Sequence, residues 1–221
     1  MSDEAVFYDD REVDGIYGWW WNPVDTGAWE GPKIDWETSH KHLIDRHCTR
    51  KRTVIQAGGN LGMYPKLLSR QFEKVITFEP DLLNYDILQR NCVETNITAF
   101  PLALGHTEGI GVLKRPSRIN VGMNYVDYIS EFDAEPAPHQ DKVDIVPLDR
   151  IMRPDLNVDL LMLDVEGNEL SVLLGSREII TMFQPVIFCE RPTINVYSFL
   201  EAYGYRKADT SAMDTVFIPW D

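Results

Sequence analysis

The stretch Val54-Ile55-Gln56-Ala57-Gly58-Gly59-Asn60-Leu61-Gly62 decides the fold class of this chain. Residues 53–57 are apolar apart from one glutamine and predict a buried strand. A glycine-rich turn follows, and then a helix from about residue 63, because Pro65 suits a first helical turn. Glycines let a ligand approach the backbone, and the unpaired N–H groups at a helix start point toward it. The stretch therefore predicts a cofactor-binding turn.

A second apolar strand, at residues 75–78, runs into Glu79, Pro80 and Asp81. A carboxylate at the tip of this strand suits the paired hydroxyls of a ribose, and we expect it to face solvent in the empty protein. The turn lacks the G-x-G-x-x-G spacing, because residue 60 is an asparagine, and it lacks the G-x-x-x-x-G-K-[ST] pattern. The two strands together predict a nucleoside cofactor rather than a dinucleotide.

Strand and helix patterns alternate along most of the chain and predict a doubly wound α/β sheet. Further strands are expected at residues 97–104, 143–147, 159–163, 184–190, 204–207 and 215–219, and helices at 35–47, 81–91, 168–175 and 195–203. Residues 109–150 are less regular and predict an excursion over the binding edge of the sheet, where such segments often form substrate walls. His139 in this excursion is expected to be solvated.

Acidic residues follow two of the predicted strands. Asp164 and Glu166 come after the predicted strand at 159–163, whose residues 160–163 are apolar, and Glu190 ends the next strand. Ligands of open α/β sheets bind at the carboxyl ends of the strands, so these three carboxylates are candidate catalytic groups. Crowded like charges raise one another's pKa and move a carboxylate toward a useful base. One or two of the acids at 164–169 have a structural alternative as helix caps, and Glu169 is expected to take it.

Composition and charge limit the partners. The formal net charge is −14, which disfavours an extended nucleic-acid surface. Cys48, Cys92 and Cys189 lie far apart without zinc-ligand spacing, and they are expected to be reduced thiols in a cytoplasmic protein. The acidic start of the chain is unlike a signal peptide, and no apolar run is long enough for a membrane span.

Residues 1–34 are predicted to form an aromatic and acidic cover segment on a main domain at 35–221. The consecutive tryptophans at 19–21 cannot all face one core, so at least one must reach a surface or a ligand. Packing across the main domain is the first interpretation, and acceptor binding is the alternative. In the 35–47 helix His40 and His47 share the apolar face as packing residues, with a catalytic histidine as the alternative.

The glycine turn with its asparagine, FEPD at 78–81 and DLLMLDVEGNEL at 159–170 together resemble the FkbM family of S-adenosylmethionine-dependent methyltransferases. The resemblance runs from about residue 53 to the end of the chain. It implies a Rossmann-like, mostly parallel, seven-stranded sheet with helices on both faces and an antiparallel last strand. It also implies S-adenosylmethionine as cofactor and methyl transfer to a hydroxyl of a small-molecule or glycan acceptor. No metal is assigned, although the clustered carboxylates and Asn168 leave a Mg²⁺-assisted variant open.

The cofactor-binding residues that the resemblance implies lie in or directly after the strands predicted at 53–57, 75–78, 97–104 and 159–163. They are Gln56, Gly58, Gly59, Asn60, Gly62, Glu79, Pro80, Leu102, Ala103 and Asp164, with Leu102 and Ala103 beside the adenine. Two positions depart from the family pattern. Gln56 replaces an acidic residue that usually holds the amino-acid end of the cofactor, and an amide cannot neutralise an ammonium. Met162 stands where a lysine is common, so no role of that lysine carries over.

Two other functions remain open at this point. A nicotinamide-dependent oxidoreductase also uses an acidic residue after the second strand, but the missing G-x-G-x-x-G pattern disfavours it. A module that binds S-adenosylmethionine without catalysis is the other alternative, and the departures at Gln56 and Met162 keep it open.

Overall fold

The computed structural model describes residues 5–13, 15–25, 40–117, 119–128, 141–151, 154–211 and 213–220. The predictions for His139, for residues 35–39 of the first helix and for residues 26–34 of the cover segment lie outside these ranges.

Strands and helices alternate over most of the described chain. The strands are β1 (Val6–Val13), β2 (Ile16–Trp21), β3 (Thr53–Ala57), β4 (Lys74–Phe78), β5 (Ile97–Phe100), β6 (Ala103–Leu104), β7 (Gly109–Lys114), β8 (Tyr125–Tyr128), β9 (Lys142–Val146), β10 (Val158–Leu163), β11 (Val186–Glu190), β12 (Tyr205–Ser211) and β13 (Asp214–Pro219). The helices are α1 (His42–His47), α2 (Met63–Leu68), α3 (Leu82–Asn91), α4 (Leu148–Ile151), α5 (Glu169–Leu174), α6 (Arg177–Phe183) and α7 (Ile194–Ala202), with 3₁₀ turns at Val121–Met123 and Pro154–Leu156. None of the helices in the described ranges has the length and apolar character needed to cross a lipid bilayer.

The main sheet of the described residues has the strand order β12-β13-β11-β10-β3-β4-β5. Strands β11, β10, β3, β4 and β5 pair in parallel, whereas β13 pairs antiparallel with both β11 and β12. Every residue of β3 and β11 is buried, as expected of parallel strands covered on both faces. The predicted α/β class, the mostly parallel sheet and the antiparallel last strand are confirmed.

Two hydrophobic clusters enclose this sheet, one on each face. Successive residues of a strand point to opposite faces, so Val54 and Leu160 belong to one cluster while Ile55 and Leu161 belong to the other. The first cluster takes in side chains of α1, α2 and the β1–β2 hairpin, and the second takes in those of α5, α6 and α7. Both faces of the central strands are therefore sealed, and their carboxyl ends form the edge at which the acidic residues emerge.

The β1–β2 hairpin packs on α3. Trp19 and Trp21 are buried, while Trp20 is partly buried, with its ring 4.8 Å from the guanidinium carbon of Arg90. The side-chain amide of Asn91 accepts a hydrogen bond from the Trp20 N–H and donates one to the Trp20 carbonyl, both at 2.8 Å. The β1–β2 hairpin, which is part of the predicted cover segment, thus packs against α3 of the main domain.

One predicted element is wrong. Residues 97–104 do not form a single strand, because β5 ends at Phe100 and β6 joins a different sheet. Pro101 lies at the break, and a proline has no N–H with which to continue a strand ladder. In the described residues the second sheet has the order β6-β9-β7-β8, so part of the irregular 109–150 region is a folded sheet beside the binding edge.

Candidate active site

The glycine turn lies between β3 and α2 and is held against the end of β4. The N–H groups of Gly58 and Gly59 both donate to the Phe78 carbonyl, at 3.0 and 2.8 Å. Gly58 has φ +90°, and a Cβ there would overlap the backbone carbonyl of Asp164. Only a glycine leaves room for β10 to end directly beside the turn, which brings Asp164 next to Gly58 in the wall of one cleft.

Gly59 and Gly62 are closely packed. A Cβ on Gly59 would collide with the side chains of Leu88 and Thr77, and one on Gly62 would meet the Cys92 sulfur. Neither glycine is among the described residues that line the cleft, and their contact with a cofactor stays a prediction. Their small size lets the turn approach α3 closely.

Gln56 also lies beneath the turn rather than in the cleft. Its side chain is fully buried; the amide nitrogen donates to the Gly58 carbonyl, and the amide oxygen accepts from the Thr77 hydroxyl. Both amide atoms thus have partners within the protein and support the turn, and direct contact of Gln56 with a cofactor stays a prediction. An amide fits here because the site needs both a donor and an acceptor, which a carboxylate does not offer.

Glu79 does not face solvent, contrary to the expectation for a strand tip. Its side chain is 6% exposed; Oε2 accepts from the Asn60 N–H at 2.7 Å and Oε1 accepts from the Asp81 N–H at 2.8 Å. Burial raises the pKa of Glu79 to about 7, and the two backbone hydrogen bonds oppose this only in part. Glu79 lines the cleft, and its carboxylate links the backbone at Asn60 to the backbone at Asp81.

The cleft is open to solvent, and its empty space, including the open part, is about 660 Å³. Its floor is the carboxyl edge of the main sheet, which contributes Asn60, Glu79 and Pro80 among the predicted cofactor residues. Leu102 and Ala103 also line it, as expected for an apolar wall beside a flat base. The predicted cofactor residues that share this cleft are Gly58, Asn60, Glu79, Pro80, Leu102, Ala103 and Asp164.

The opposite wall of the cleft comes from the second sheet and the 3₁₀ turn Val121–Met123, which we call the roof (residues 109–128). Asp81 anchors it, because its Oδ2 accepts from the Asn124 side-chain amide at 3.2 Å and pairs with Arg115 at 3.0 Å. The other oxygen of Asp81 caps α3 by accepting from the Leu83 N–H, which confirms the predicted N-cap. The roof is therefore joined to the strand end that carries Glu79.

Sequence motifs did not find the roof residues. Val121, Asn124, Tyr125 and Tyr128 line the cleft, yet no spacing rule singles them out, and Asn84 of α3 was missed in the same way. The irregular segment at residues 109–150 predicted a wall of the binding site, but it did not indicate which side chains form that wall.

Asp164, Glu166 and Glu190 come together at the carboxyl edge of the main sheet, each offering an oxygen within 4.8 Å of the others. Asp164 and Glu166 line the cleft, whereas Glu190 lies behind them on β11 and is buried. Burial, a hydrogen bond with Glu190 and neighbouring negative charge raise the pKa of Asp164 well above its usual range. Partial burial and the charge of Glu190 raise the pKa of Glu166. Oxygens so grouped also suit a divalent cation, the variant that the sequence left open.

The turn after β10 fixes the direction of these acids. Glu166 has φ +49°, a left-handed conformation that is rare for a residue with a side chain and is often found at functional sites. Glu169 is buried, and its Oε1 accepts from the Gly167 N–H at 2.9 Å, which fits the predicted capping role. Asn168 donates to the Val126 carbonyl at 2.9 Å and ties the turn to the roof.

His40 does not line the cleft. It is buried, with Nε2 3.1 Å from an oxygen of Asp214 and its ring in contact with Tyr64 and Phe188. His47 lies farther from the cleft, 3.3 Å from Asp209. Both contacts fit the packing interpretation of the two histidines.

Residues 66–207 match the family model described as the methyltransferase FkbM domain. The methyltransferase sdnD of Sordaria araneosa is 27% identical over 184 residues, which cover 66% of this chain and 71% of that protein. The crystal structure of methyltransferase FkbM from Methylobacillus flagellatus is similar with a TM-score of 0.49 and 19% identity over 77% of this chain, and the chain spans only 44% of that protein. Magnesium protoporphyrin IX methyltransferase of Synechocystis, solved with bound S-adenosylmethionine, is similar with a TM-score of 0.46 and 7% identity over 81% of this chain and 75% of that one.

The family match extends over well over half of the chain and begins in α2, just after the glycine turn. It contains Glu79, Asp164, Glu166 and Glu190, which the structure brings to one edge of the sheet. This chain belongs to the FkbM methyltransferase family, whose members are S-adenosylmethionine-dependent methyltransferases.

Proposed function

We propose that this chain binds S-adenosylmethionine in the cleft and methylates a hydroxyl group of a small molecule or glycan. The observation that carries the proposal is that Asp164 and Glu166, grouped with the buried Glu190, line the same cleft as Gly58 and Glu79. One cleft thus offers both groups suited to a nucleoside and groups able to accept a proton.

The residues of the cleft fit a nucleoside. The buried carboxylate of Glu79 suits ribose hydroxyls, and Leu102 and Ala103 provide a small apolar surface for adenine. Two further oxygens, Oδ1 of Asn60 and Oδ1 of Asn124, are buried without a hydrogen-bond partner among the described residues, and both side chains line the cleft. Buried acceptors of this kind are few in native proteins and are consistent with a ligand that brings donors.

The bound cofactor would supply an electrophilic methyl group on its sulfonium. The protein then has to hold the acceptor in line with that methyl group and to take up the hydroxyl proton. Alignment of reacting groups contributes several kcal/mol, about 7 or more in favourable cases. A positioned base adds roughly 10²- to 10⁴-fold.

Glu166 is the carboxylate best suited to accept the proton. It lines the cleft, is only partly buried and has a raised pKa, which strengthens it as a base. Asp164 is more deeply enclosed, its pKa is raised further, and it shares a hydrogen bond with Glu190. We therefore assign Glu166 as the base. Asp164 and Glu190 are the neighbouring acid pair, and the charge of Glu190 helps to raise the pKa of Glu166.

The remaining parts of the proposal concern organisation and location. Residues 35–221 form the methyltransferase domain and residues 1–34 a cover segment, which the contacts of the β1–β2 hairpin with α3 support. A cytoplasmic location is consistent with three cysteines that form no disulfide.

Binding calorimetry tests the cofactor. S-adenosylmethionine and S-adenosylhomocysteine are expected to bind, and NAD is not, because the turn lacks the spacing for a pyrophosphate. Heat from NAD together with none from either sulfur nucleoside would favour the oxidoreductase instead.

The Glu166→Gln variant tests the base. Methyl transfer from labelled S-adenosylmethionine to a hydroxyl acceptor should fall at least about tenfold, because the amide cannot accept the proton. Affinity for S-adenosylhomocysteine should change much less. The matched control is Glu169→Gln, which removes a capping carboxylate outside the cleft lining and should lower the free energy of unfolding rather than the transfer rate. A transfer rate unaltered by Glu166→Gln would remove Glu166 from the mechanism.

A further inference from the structure

Asn124 lies on the roof and has a polar atom that nothing in the described structure satisfies. Its Oδ1 is buried and has no hydrogen-bond partner among the described residues, although its side chain lines the cleft. Leaving a buried acceptor unpaired disfavours the folded state, so such atoms usually mark a site where a missing partner binds. Asn124 is not one of the residues that the sequence motifs identify.

The orientation of this amide is set by its neighbour. The Asn124 side-chain nitrogen donates to Oδ2 of Asp81 at 3.2 Å, and an ionised carboxylate oxygen can only accept. The nitrogen must therefore face Asp81, and the atom left over is an acceptor. A ligand that satisfies it has to present an N–H or O–H group.

The place of Asn124 in the cleft indicates which ligand group that is. Glu79 is held by the N–H groups of Asn60 and Asp81. The roof turn contacts both of these residues, because Asn124 binds the Asp81 side chain and Gly122 lies against the Asn60 amide. Asn124 thus belongs to the same short network as Glu79, the carboxylate suited to the ribose hydroxyls.

We propose that Asn124 is a ribose-binding residue, whose amide oxygen accepts a hydrogen bond from one ribose hydroxyl while Glu79 accepts one from the other. A ribose offers two O–H donors, and each Glu79 oxygen already accepts one backbone N–H. Because this amide oxygen is buried, the short 3₁₀ turn beside it at the cleft wall has to shift before the hydroxyl can reach it. This inference rests on the proposed binding of S-adenosylmethionine.

The test measures binding by calorimetry for three probes: S-adenosylhomocysteine, its 2′-deoxy analogue and its 3′-deoxy analogue. The Asn124→Leu variant keeps the size of the side chain and removes both polar atoms. It should weaken binding of S-adenosylhomocysteine by about three- to tenfold, the range for one hydrogen bond, and the loss should be clearly smaller for one of the two deoxy analogues.

Arg115→Gln is the matched control. It removes the other roof contact with Asp81 without altering a residue that lines the cleft. A looser roof should reduce the affinity for all three probes by the same factor. We expect this equal reduction for Arg115→Gln. Circular dichroism and a melting curve check that each variant folds, and Asn124→Ala replaces Asn124→Leu if the latter does not.

An equal loss for all three probes in the Asn124 variant, or no loss at all, would overturn the assignment of Asn124 to the ribose. Failure of the unaltered protein to bind S-adenosylhomocysteine would be a different result, because it would overturn the proposed function and this inference with it.

Discussion

Glu79 illustrates how far burial changes the role of one residue. A carboxylate at a strand tip was expected to meet solvent, so that its removal would affect ligand binding and little else. In the structure it satisfies the N–H groups of Asn60 and Asp81 inside a closed wall. Removing it leaves two buried donors unpaired, and each costs roughly 1–3 kcal/mol. Glu79 is therefore part of the fold as well as part of the cleft.

The raised pKa of Glu79 predicts how stability depends on pH. The pKa of about 7 in the folded protein lies above the ordinary glutamate pKa of 4.5, so between these pH values the folded state binds more protons than the unfolded state. The free energy of unfolding contributed by this group therefore falls as pH rises from about 4.5 through about 7. Glu79→Gln should reduce this fall, as measured by urea unfolding at pH 5 and pH 7.5.

Asp164 also has a raised pKa and contributes a slope of the same sign, but it is present in both proteins being compared. The difference between the unaltered protein and Glu79→Gln isolates Glu79. An identical pH dependence in the two proteins would mean that Glu79 does not titrate in this range.

At the scale of elements, the junction between β3 and β10 decides whether the cleft can form. The two strands run in parallel and are adjacent, and their ends meet where Gly58 passes under the Asp164 carbonyl. The acidic turn begins at that contact. The candidate catalytic carboxylates and the glycine turn are thus neighbours because two strands pair, even though the chain separates them by more than a hundred residues.

Gly58→Ala and Gly167→Ala test this junction as a matched pair. Both glycines have a positive φ, +90° and +95°, so both variants carry the strain of a left-handed backbone, about 1–2 kcal/mol. A Cβ at Gly167 meets no atom within 4 Å, whereas one at Gly58 overlaps the Asp164 carbonyl. Gly58→Ala should therefore lower the free energy of unfolding by roughly 1–3 kcal/mol more than Gly167→Ala, because overpacking adds to the strain.

Chemical unfolding followed by circular dichroism gives both values. If the two variants lose the same stability, the backbone conformation alone accounts for the glycine at position 58, and the close approach of the strands does not matter.

At the scale of the whole molecule, the cleft is assembled from distant parts of the chain. Its floor comes from strand ends near residues 58, 79 and 164, and its other wall comes from the roof at 109–128. The roof is fastened to Asp81, and the Val121 N–H donates to Asp25, which follows the N-terminal hairpin. The hairpin in turn rests on α3, so the N-terminal segment supports the roof from outside the cleft.

Asn91→Ala tests the attachment of the hairpin. The Asn91 side chain bonds to both backbone groups of Trp20 and also donates to the Leu61 carbonyl at 2.7 Å. The substitution leaves the Trp20 N–H, the Trp20 carbonyl and the Leu61 carbonyl without this hydrogen-bond partner. We expect the free energy of unfolding to fall by about 2 kcal/mol or more. Limited proteolysis should cut the hairpin faster than in the unaltered protein.

Asn96→Ala serves as the control for Asn91→Ala. It removes two similar bonds, to the Ser69 and Phe72 carbonyls, at a position that does not touch the hairpin. It should lower stability without exposing the hairpin to protease. Equal cleavage of the hairpin in the two variants would count against Asn91 as its attachment.

The sequence by itself determined the fold class and the floor of the cleft. Hydrophobic runs fixed the strands because buried parallel strands must be apolar on both faces, and Gly58, Glu79 and Asp164 were found because each directly follows such a run. Local order along the chain is enough to place residues at the end of a strand. It does not reveal the close packing of Gln56, Gly59 and Gly62 around the turn, which the structure shows, and their contact with a cofactor stays a prediction.

Only the tertiary structure decided the roof and the partners of the buried groups. Asn124 and Tyr128 reach the cleft because a second sheet folds back over the strand ends, and its pairing depends on contacts between residues far apart in the chain. The same holds for the pKa values of Glu79 and Asp164, which depend on how completely water is excluded around them. Periodicity records which face of a strand is apolar, but burial and long-range pairing are properties of the assembled chain.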